Sequence, residues 1–335
     1  MSSTKLILQS SPHLRDDDSV RRIMLTVLIA LAPATVASVL MFGTRAVVVL
    51  VLAVLGCLAF EAIALKIMKK PLMPYLTDGS AVVTGILLAM NLPSGLPWWM
   101  VLVGALVAVV LGKQVYGGIG SNPFNPALVA RVFLFISFPT AMTTWPVPGS
   151  DLFGMGADVA TAATPLGVLK TDGLAALMSS DSNLYMNLLT GHVGGCLGET
   201  SAIALILGGL FLLLRKVISW EIPVTFIGTV FAFTGVFYLV DSSTYADPLF
   251  QILSGGVMLG AIFMATDMVT TPVTRKGMLL FGFGCGLITG VIRLLGSYPE
   301  GVSFSILIMN GFTPLIDRYI TPAPFEDKGG ELQAP

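Results

Sequence analysis

The sequence predicts an all-α polytopic membrane protein, and three observations lead to that class. Of its 335 residues, 55% are apolar and only 11% are charged, whereas soluble domains carry about 25% charged residues. The mean hydropathy is +0.87. Ten apolar runs also approach the roughly 20 residues that a helix needs to cross about 30 Å of hydrocarbon. These observations exclude a water-soluble enzyme.

The ten predicted spans form two groups of five. The first group lies at 23–42, 46–65, 79–92, 98–111 and 127–142, and the second at 200–214, 222–240, 249–265, 277–295 and 302–319. Several runs are short and interrupted by Gly or Pro, which is typical of broken helices that line a site. Because five is an odd number, a repeat of the first half in the second would be inverted. Aligning Gly85 with Gly260 and Lys113 with Arg293 favours such a repeat.

The positive charges predict the orientation. Most of them precede the first span or follow the even-numbered spans, at Lys5, Arg15, Arg21, Arg22, Lys66, Lys69, Lys70, Lys113, Arg215, Lys216, Arg275, Lys276, Arg318 and Lys328. The other side holds only Arg45, Lys170 and Arg293. By the positive-inside rule both termini are predicted to be cytoplasmic, in a prokaryotic cell (inner) membrane.

The spans divide the chain into five predicted segments. They are a cytoplasmic N-terminal segment (1–22), a first five-helix half (23–142), an extracytoplasmic loop (143–199), a second five-helix half (200–320) and a cytoplasmic tail (321–335). The loop is the only long connection, and a loop of this length is usually functional or disordered. Short helices are predicted within it at 165–170 and 174–178.

Charge and cysteine usage exclude other classes of function. The formal net charge of −1 gives no basic excess, so nucleic acid is not an expected partner. Cys57, Cys196 and Cys285 are far apart and form no CxxC pair, and His13 and His192 have no ligand spacing around them. No metal site, nucleotide-binding Gly-rich loop or Fe–S cysteine set is therefore predicted in this chain.

The sharpest local signal lies in the long loop, at Thr164 and Pro165. Thr as N-cap and Pro at the first helical position are a strong helix start. One interpretation is a capped surface helix. The other is that Thr164 carries a covalent phosphate ester, since an anion there would meet free backbone N–H groups at the positive end of the helix dipole.

The same segment resembles the flavinylation motif Asp-x-x-(Ser/Thr)-(Gly/Ala)-Ala-(Thr/Ser), at which a flavin transferase esterifies FMN to the final hydroxyl. Asp158, Thr161, Ala163 and Thr164 match the motif, and Ala162 stands where Gly is more familiar. Further stretches resemble the RnfD/NqrB family of membrane subunits over about residues 10–318. These stretches are Ser10–His13, Thr77–Gly79, Tyr116–Gly118, Asn122–Ala127 and Phe263–Asp267.

The resemblance implies a urea-transporter-like fold of two inverted five-helix halves. It implies FMN on Thr164, with Asp158 and Thr161 completing the transferase recognition site and Ala163 and Pro165 beside the anchor. A second, non-covalent flavin (riboflavin in the relative) is also implied. The whole complex would pass electrons between ferredoxin and NAD while moving Na⁺ or H⁺, and the partners would be RnfA, RnfB, RnfC, RnfE and RnfG.

Asn122 and Asn125 lie in a segment whose two Asn-Pro pairs and three glycines cannot continue a helix. Their amides are suited to the edge of a flavin or quinone-like ring. The alternative is a turn whose Asn side chains cap the helix at Ala127. By analogy with the first half, the partner region for a ligand is 266–271.

Ionisable residues in or beside the spans are Glu61, Asp78, Arg131 and Asp267. A charge near the bilayer centre is costly and by default marks an ion path or a partner. Asp78 and Asp267 are candidates for an ion path, or else they cap broken helices near the water boundary. Glu61 is expected to neutralise Arg131 or a neighbouring subunit.

Two other classes of protein remain possible from the sequence. A channel or transporter for a small solute would also have an inverted repeat and broken helices, but it would not need the segment 158–165. A scaffold that only anchors redox partners would bind no flavin.

Overall fold

The computed structural model describes residues 19–149, 160–180, 183–199 and 201–321, and this part of the chain is helical without a β-strand. One isolated bridge pairs Pro146 with Thr161. The α-helices are α1 (Val20–Phe42), α2 (Thr44–Ile67), α3 (Leu72–Leu76), α4 (Ser80–Met90), α5 (Trp98–Leu106), α6 (Pro126–Ser137), α7 (Pro139–Met142), α8 (Pro165–Thr171), α9 (Gly173–Ser180), α10 (Leu184–Thr190), α11 (Ala202–Leu214), α12 (Glu221–Val240), α13 (Pro248–Leu253), α14 (Val257–Leu259), α15 (Arg275–Leu295) and α16 (Val302–Tyr319).

Five helical segments of the described chain are long and apolar enough to cross a membrane. They are Val20–Phe42, Thr44–Ile67, Leu72–Met90, Glu221–Val240 and Arg275–Leu295. Shorter apolar helices lie at Trp98–Gln114, Pro126–Ser137 and Ala202–Leu214. The all-helical architecture with several candidate spans is that of a multi-pass membrane protein, as the composition predicts.

Small residues let the helices approach closely. On α15, glycines recur every four residues and face α12, so that a Cβ added to Gly286 would lie 2.7 Å from the carbonyl oxygen of Phe226. On α11, Gly208 meets the backbone carbonyl of Ala30 in α1. Such contacts replace the hydrophobic driving force that helices lack in lipid.

Two helices are interrupted, one in each half. The chain leaves α4 at Asn91 and reaches α5 only at Trp98, while α13 and α14 are separated by residues 254–256, where Gly255 has a φ of +66°. Two π-helical stretches follow, Val107–Gln114 after α5 and Gly260–Met264 after α14. π-Helical turns are rare and are frequent at functional sites.

The long loop packs as a small second core against the second half. Its α8, α9 and α10 bury leucines against α13, with the core residues Leu166, Leu177, Leu184, Leu188, Ala246 and Phe250. The Tyr185 hydroxyl donates to Asp247 at 3.0 Å. Partial burial, together with that hydrogen bond and the Asp247 charge, raises the pKa of Tyr185 to about 12. Helices α8 and α9 cover the two predicted short helices, whereas α10 was not predicted.

Candidate functional site

Thr164 caps α8 and is buried. Its backbone is extended, with φ −67° and ψ 153°, and its Oγ1 accepts a hydrogen bond from the Gly167 N–H at 3.0 Å. Only 7% of the residue is exposed, and Pro165 occupies the first helical position. The predicted cap is therefore confirmed, while the role of the hydroxyl as a flavin anchor stays a prediction.

Beside Thr164 lies a cavity of about 450 Å³, here called the Thr164 cavity. Its lining joins the loop to α6 and α16 and consists of Arg131, Val132, Phe135, Ile136, Pro139, Met142, Thr143, Trp145, Ala163, Thr164, Gly167, Tyr298, Pro299, Glu300, Ser303 and Phe304. Three of its rings pack together: Phe135 meets Tyr298 edge-on at 5.4 Å between ring centroids, and Tyr298 stacks on Phe304 at 5.9 Å. The cavity thus has flat apolar walls and a polar end.

The remaining residues of the loop motif lie beside this cavity or outside the described chain. Ala163 lines the cavity, whereas Thr161 is exposed and forms the bridge with Pro146. The Ala162 N–H donates to the Trp145 carbonyl at 3.0 Å. Asp158 lies outside the described residues. The backbone pairing therefore fixes the segment that leads to Thr164 against the chain that follows α7.

Buried charges form the polar end of the Thr164 cavity. Arg131 donates from Nη1 to Asn91 Oδ1 at 2.7 Å, and its Nη2 forms an ion pair with Glu300. Glu199 Oε1 lies 3.8 Å from the same Nη2. Arg293 donates to the backbone carbonyls of Gln251 at 2.5 Å and Ser254 at 3.0 Å, so it also completes the broken end of α13. We call Arg131, Glu199, Arg293 and Glu300 the charge cluster.

The predicted partner of Glu61 was wrong. Glu61 is fully buried, and its Oε1 accepts hydrogen bonds from Lys113 Nζ at 2.5 Å and from Gln114 Nε2 at 2.8 Å. Lys113 was predicted as a loop charge, but the π-helical stretch after α5 turns it inward, where it is 3% exposed. Arg131 pairs instead with Glu300, a residue that no sequence pattern had indicated.

A second, smaller cavity lies between the two halves and is called the Asn125 cavity. Its volume is about 110 Å³, and its polar lining includes Asn122, Asn125, Lys113, Thr266 and Asp267. The structure therefore brings the two Asn-Pro asparagines together with the start of the 266–271 region, as expected from the sequence.

The amides of both asparagines are occupied by backbone contacts. Asn125 accepts from the N–H groups of Ala127 and Leu128 and donates to the Met264 carbonyl at 3.2 Å. Asn122 donates to the Phe124 carbonyl at 3.1 Å. The capping interpretation is thus confirmed for Asn125, and its amide also ties α6 to the π-helical stretch of the second half.

The two candidate ion-path carboxylates bind their own turns. Asp78 Oδ1 accepts from the Ser80 N–H at 2.7 Å and from the Ser80 hydroxyl at 2.6 Å, at the start of α4. Asp267 accepts at longer distances, 3.5 Å from the Val269 N–H and 3.4 Å from the Thr270 hydroxyl. Asp267 lines the Asn125 cavity, whereas Asp78 is joined to it only through Ser80.

These features define a helical multi-pass membrane protein with a folded loop over an aromatic-lined cavity. The sequence profile described as the NQR2, RnfD, RnfE family matches residues 7–326. The chain belongs to this family, which confirms the resemblance drawn from its motifs.

Three similar proteins are membrane-complex components whose names specify the complex. The chain is 45% identical over 321 residues to a component of the "Proton-translocating ferredoxin:NAD(+) oxidoreductase complex" of Clostridium ljungdahlii, with 95% of each chain covered. It is 45% identical over 319 residues to a component of the "Na(+)-translocating ferredoxin:NAD(+) oxidoreductase complex" of Acetobacterium woodii, again with 95% of each covered. It is 42% identical over 327 residues to a component of the "Ion-translocating oxidoreductase complex" of Stutzerimonas stutzeri, with 92% of each covered.

Proposed function

We propose that this chain is the flavin-carrying membrane subunit of an Rnf-type complex, which couples electron transfer between ferredoxin and NAD to translocation of Na⁺ or H⁺. Its partners would be RnfA, RnfB, RnfC, RnfE and RnfG, and a flavin transferase would esterify FMN to Thr164. The family membership and the names of the relatives support the complex. The observation that carries the flavin assignment is a buried threonine hydroxyl, at the end of a matching motif, on the wall of the Thr164 cavity.

The Thr164 cavity fits the shape and polarity of a flavin ring. Ligand cavities usually measure about 300–1,000 Å³, and this one measures about 450 Å³. Its Phe135, Tyr298 and Phe304 rings offer flat apolar walls, while Arg131 and Glu300 offer a charged donor and acceptor for a polar edge. When bound, the flavin would supply the electron-transfer chemistry.

This chain's residues would hold and orient the group. Thr164 would hold its phosphate, and Ala163 and Pro165 would fix the direction of the attachment point. Lys170 Nζ donates to the Tyr298 carbonyl at 2.8 Å and to the Arg293 carbonyl at 3.3 Å. These bonds hold α8, and so Thr164, against the membrane-embedded helices.

The same proposal includes the full topology. Ten crossings in two inverted halves, as in a urea-transporter-like fold, would leave both termini cytoplasmic and the loop 143–199 outside. The two interrupted helices and the two π-helical stretches at corresponding places in the chain support such a repeat. So does the match of Lys113, near the end of the π-helical stretch, with Arg293 in the last turn of α15.

A second, non-covalent flavin and an ion path would involve the Asn125 cavity. Asn122, Asn125 and the residues from Thr266 onward converge there, which supports a ligand. At about 110 Å³ the cavity is smaller than a flavin site, so the segment carrying Asn122 would have to move for a ring to enter. Asp267, which faces this cavity, is the stronger ion-path candidate, and Asp78 would act through Ser80.

A small-solute channel or transporter is the second candidate, favoured by the two broken helices. It gives no reason for a folded loop that buries a threonine hydroxyl on an aromatic cavity. A purely anchoring scaffold gives no reason either.

The complex with Thr164→Ala tests the proposal against both alternatives. We expect the variant to assemble but to lose most of its ferredoxin-to-NAD electron transfer and the coupled ion uptake into vesicles. Thr164→Ser should retain both, because only the hydroxyl is needed. Thr171→Ala, which changes an exposed threonine at the end of α8, is the matched control. Normal electron transfer by an assembled Thr164→Ala complex would contradict the proposal.

A further inference from the structure

The charge cluster contains two carboxyl groups that lie against each other. One ligand atom from each of Cys196, Glu199 and Glu300 lies within 4.8 Å of the other two. Glu199 is 8% exposed, and its Oε1 is a buried atom without a hydrogen-bond partner among the described residues. Glu300 Oε1 is likewise buried without such a partner. Two buried, adjacent carboxylates repel each other unless a proton or a cation lies between them.

A permanent positive charge already occupies the place where a metal ion would sit. Arg131 Nη2 pairs with Glu300, and it also lies 3.5 Å from Cys196 Sγ. A divalent cation bound by Cys196, Glu199 and Glu300 would meet this guanidinium at contact distance, which is strongly repulsive. A proton adds no volume and is compatible with the Arg131 contact, so the geometry favours a proton over a metal.

The charged groups around the pair come from three elements of the described chain. Arg131 reaches it from α6, Arg293 from α15, and Cys196 lies beside Glu199 just before the turn Leu197–Glu199. Arg293 is committed to the carbonyls at the end of α13. One arginine therefore directly neutralises one carboxylate, and the second carboxyl group needs a proton to be buried at low cost.

The break between α13 and α14 makes room for this arrangement. A Cβ on Gly255 would lie 2.7 Å from Arg293 Nη2 and 2.8 Å from Leu166 Cδ1 of the loop helix. A Cβ on Gly256 would lie 3.6 Å from both Arg131 Nη1 and Glu199 Oε1. The two glycines thus let the carboxyl pair, the arginines and α8 converge at one end of the Thr164 cavity.

We propose that Glu199 and Glu300 share one exchangeable proton and donate it into the Thr164 cavity when the group held there is reduced. The inference rests on the proposed function, which supplies both the reducible group and its electron. The O–H bond of the carboxylic acid breaks, and the proton passes to the group that has received an electron from the ferredoxin–NAD chain. The carboxylate then regains a proton from water. Glu300, which lines the cavity, is the donor side of the pair, and Glu199 is the buried reserve.

The first test is infrared spectroscopy of the purified complex carrying Thr164→Ala. A protonated carboxyl group gives a carbonyl band that shifts in heavy water, and we expect this band without any covalent flavin. Glu199→Gln, which preserves size, should abolish it because the remaining Glu300 is ionised by Arg131. Glu221→Gln changes another buried glutamate, paired with Arg275 at 3.6 Å in a separate site, and should leave the band unchanged. A band that survives Glu199→Gln, or is absent from the start, overturns the proposal.

The second test is the pH dependence of the midpoint potential of the flavin in the assembled complex. We expect Glu199→Gln to remove at least half of that dependence near neutral pH, with the covalent flavin still attached, and Glu221→Gln to leave it intact. An unchanged dependence in Glu199→Gln contradicts proton donation by the pair. If the wild-type chain carries no flavin at all, the proposed function fails, and the infrared band still decides whether the pair holds a proton.

Discussion

Single residues carry opposite charges in pairs inside this protein. Lys113 binds Glu61 at 2.5 Å, and neither side chain is more than 4% exposed. Arg131 and Glu300 form the corresponding pair beside the loop. Breaking a buried pair leaves one charge in a medium of low dielectric constant, which costs more than the pair contributes when intact. The residues therefore depend on each other more than on their sequence neighbours.

The Lys113–Glu61 pair gives the residue-scale prediction. Lys113→Met should destabilise the purified protein by about 3–5 kcal/mol, because Glu61 then keeps only the Gln114 amide as a partner. The double variant Glu61→Gln/Lys113→Met should recover most of that loss, since no unpaired charge remains. Thermal unfolding in detergent measures both. A double variant no more stable than Lys113→Met would contradict this view of the pair.

At the scale of the element, glycines decide how closely helices approach. Gly208 in α11 faces the Ala30 carbonyl of α1 and the Phe263 ring, and an added Cβ cannot fit without movement of the α1 backbone. Gly228 in α12 has open space on the same criterion. The two positions therefore separate the effect of packing from the effect of helix propensity.

Gly208→Ala and Gly228→Ala are the matched test of that distinction. We expect Gly208→Ala to cost about 1–3 kcal/mol of stability through overpacking. Gly228→Ala should be neutral or stabilising by up to about 1 kcal/mol, because alanine favours the helix. Thermal unfolding of the two variants in the same detergent compares them directly. Equal effects would mean that the α1–α11 contact does not govern stability.

Most elements could be predicted from apolar runs and caps, and the exceptions have a physical reason. The runs locate the long helices, and Thr164-Pro165 gives the start of α8. The π-helical stretch after α5 was not predictable, because its extra residue per turn depends on packing against α6 and not on local sequence. That stretch is what turns Lys113 inward. Glu300 was missed because 169 residues separate it from Arg131, and no local pattern joins them.

At the scale of the whole molecule, sequence and similarity determine the family but not the coupled ion. Two relatives at 45% identity are named for different ions, one for protons and one for Na⁺. Identity over the whole chain therefore cannot select between them. The choice depends on a few side chains, of which Asp267 is a candidate, and on the partner subunits.

The orientation of the whole molecule gives a further prediction. Single cysteines at Lys69, between α2 and α3, and at Thr171, in the loop, should lie on opposite sides of the membrane. A thiol reagent that cannot cross the membrane should label Thr171→Cys in intact cells, and it should label Lys69→Cys only after the cells are opened. The native Cys57, Cys196 and Cys285 are buried and give a low background. Labelling of both positions in intact cells would contradict the proposed ten crossings.

The assignment of a redox group to Thr164 underlies the proposed function, and intact mass is its sharpest test. The chain is purified from a host that contains the flavin transferase, and its mass is measured beside flavin fluorescence in a denaturing gel. We predict the added mass of one esterified FMN, lost together with the fluorescence in Thr164→Ala and kept in Thr164→Ser. A bare mass in the presence of active transferase, or an adduct that survives Thr164→Ala, would contradict the assignment.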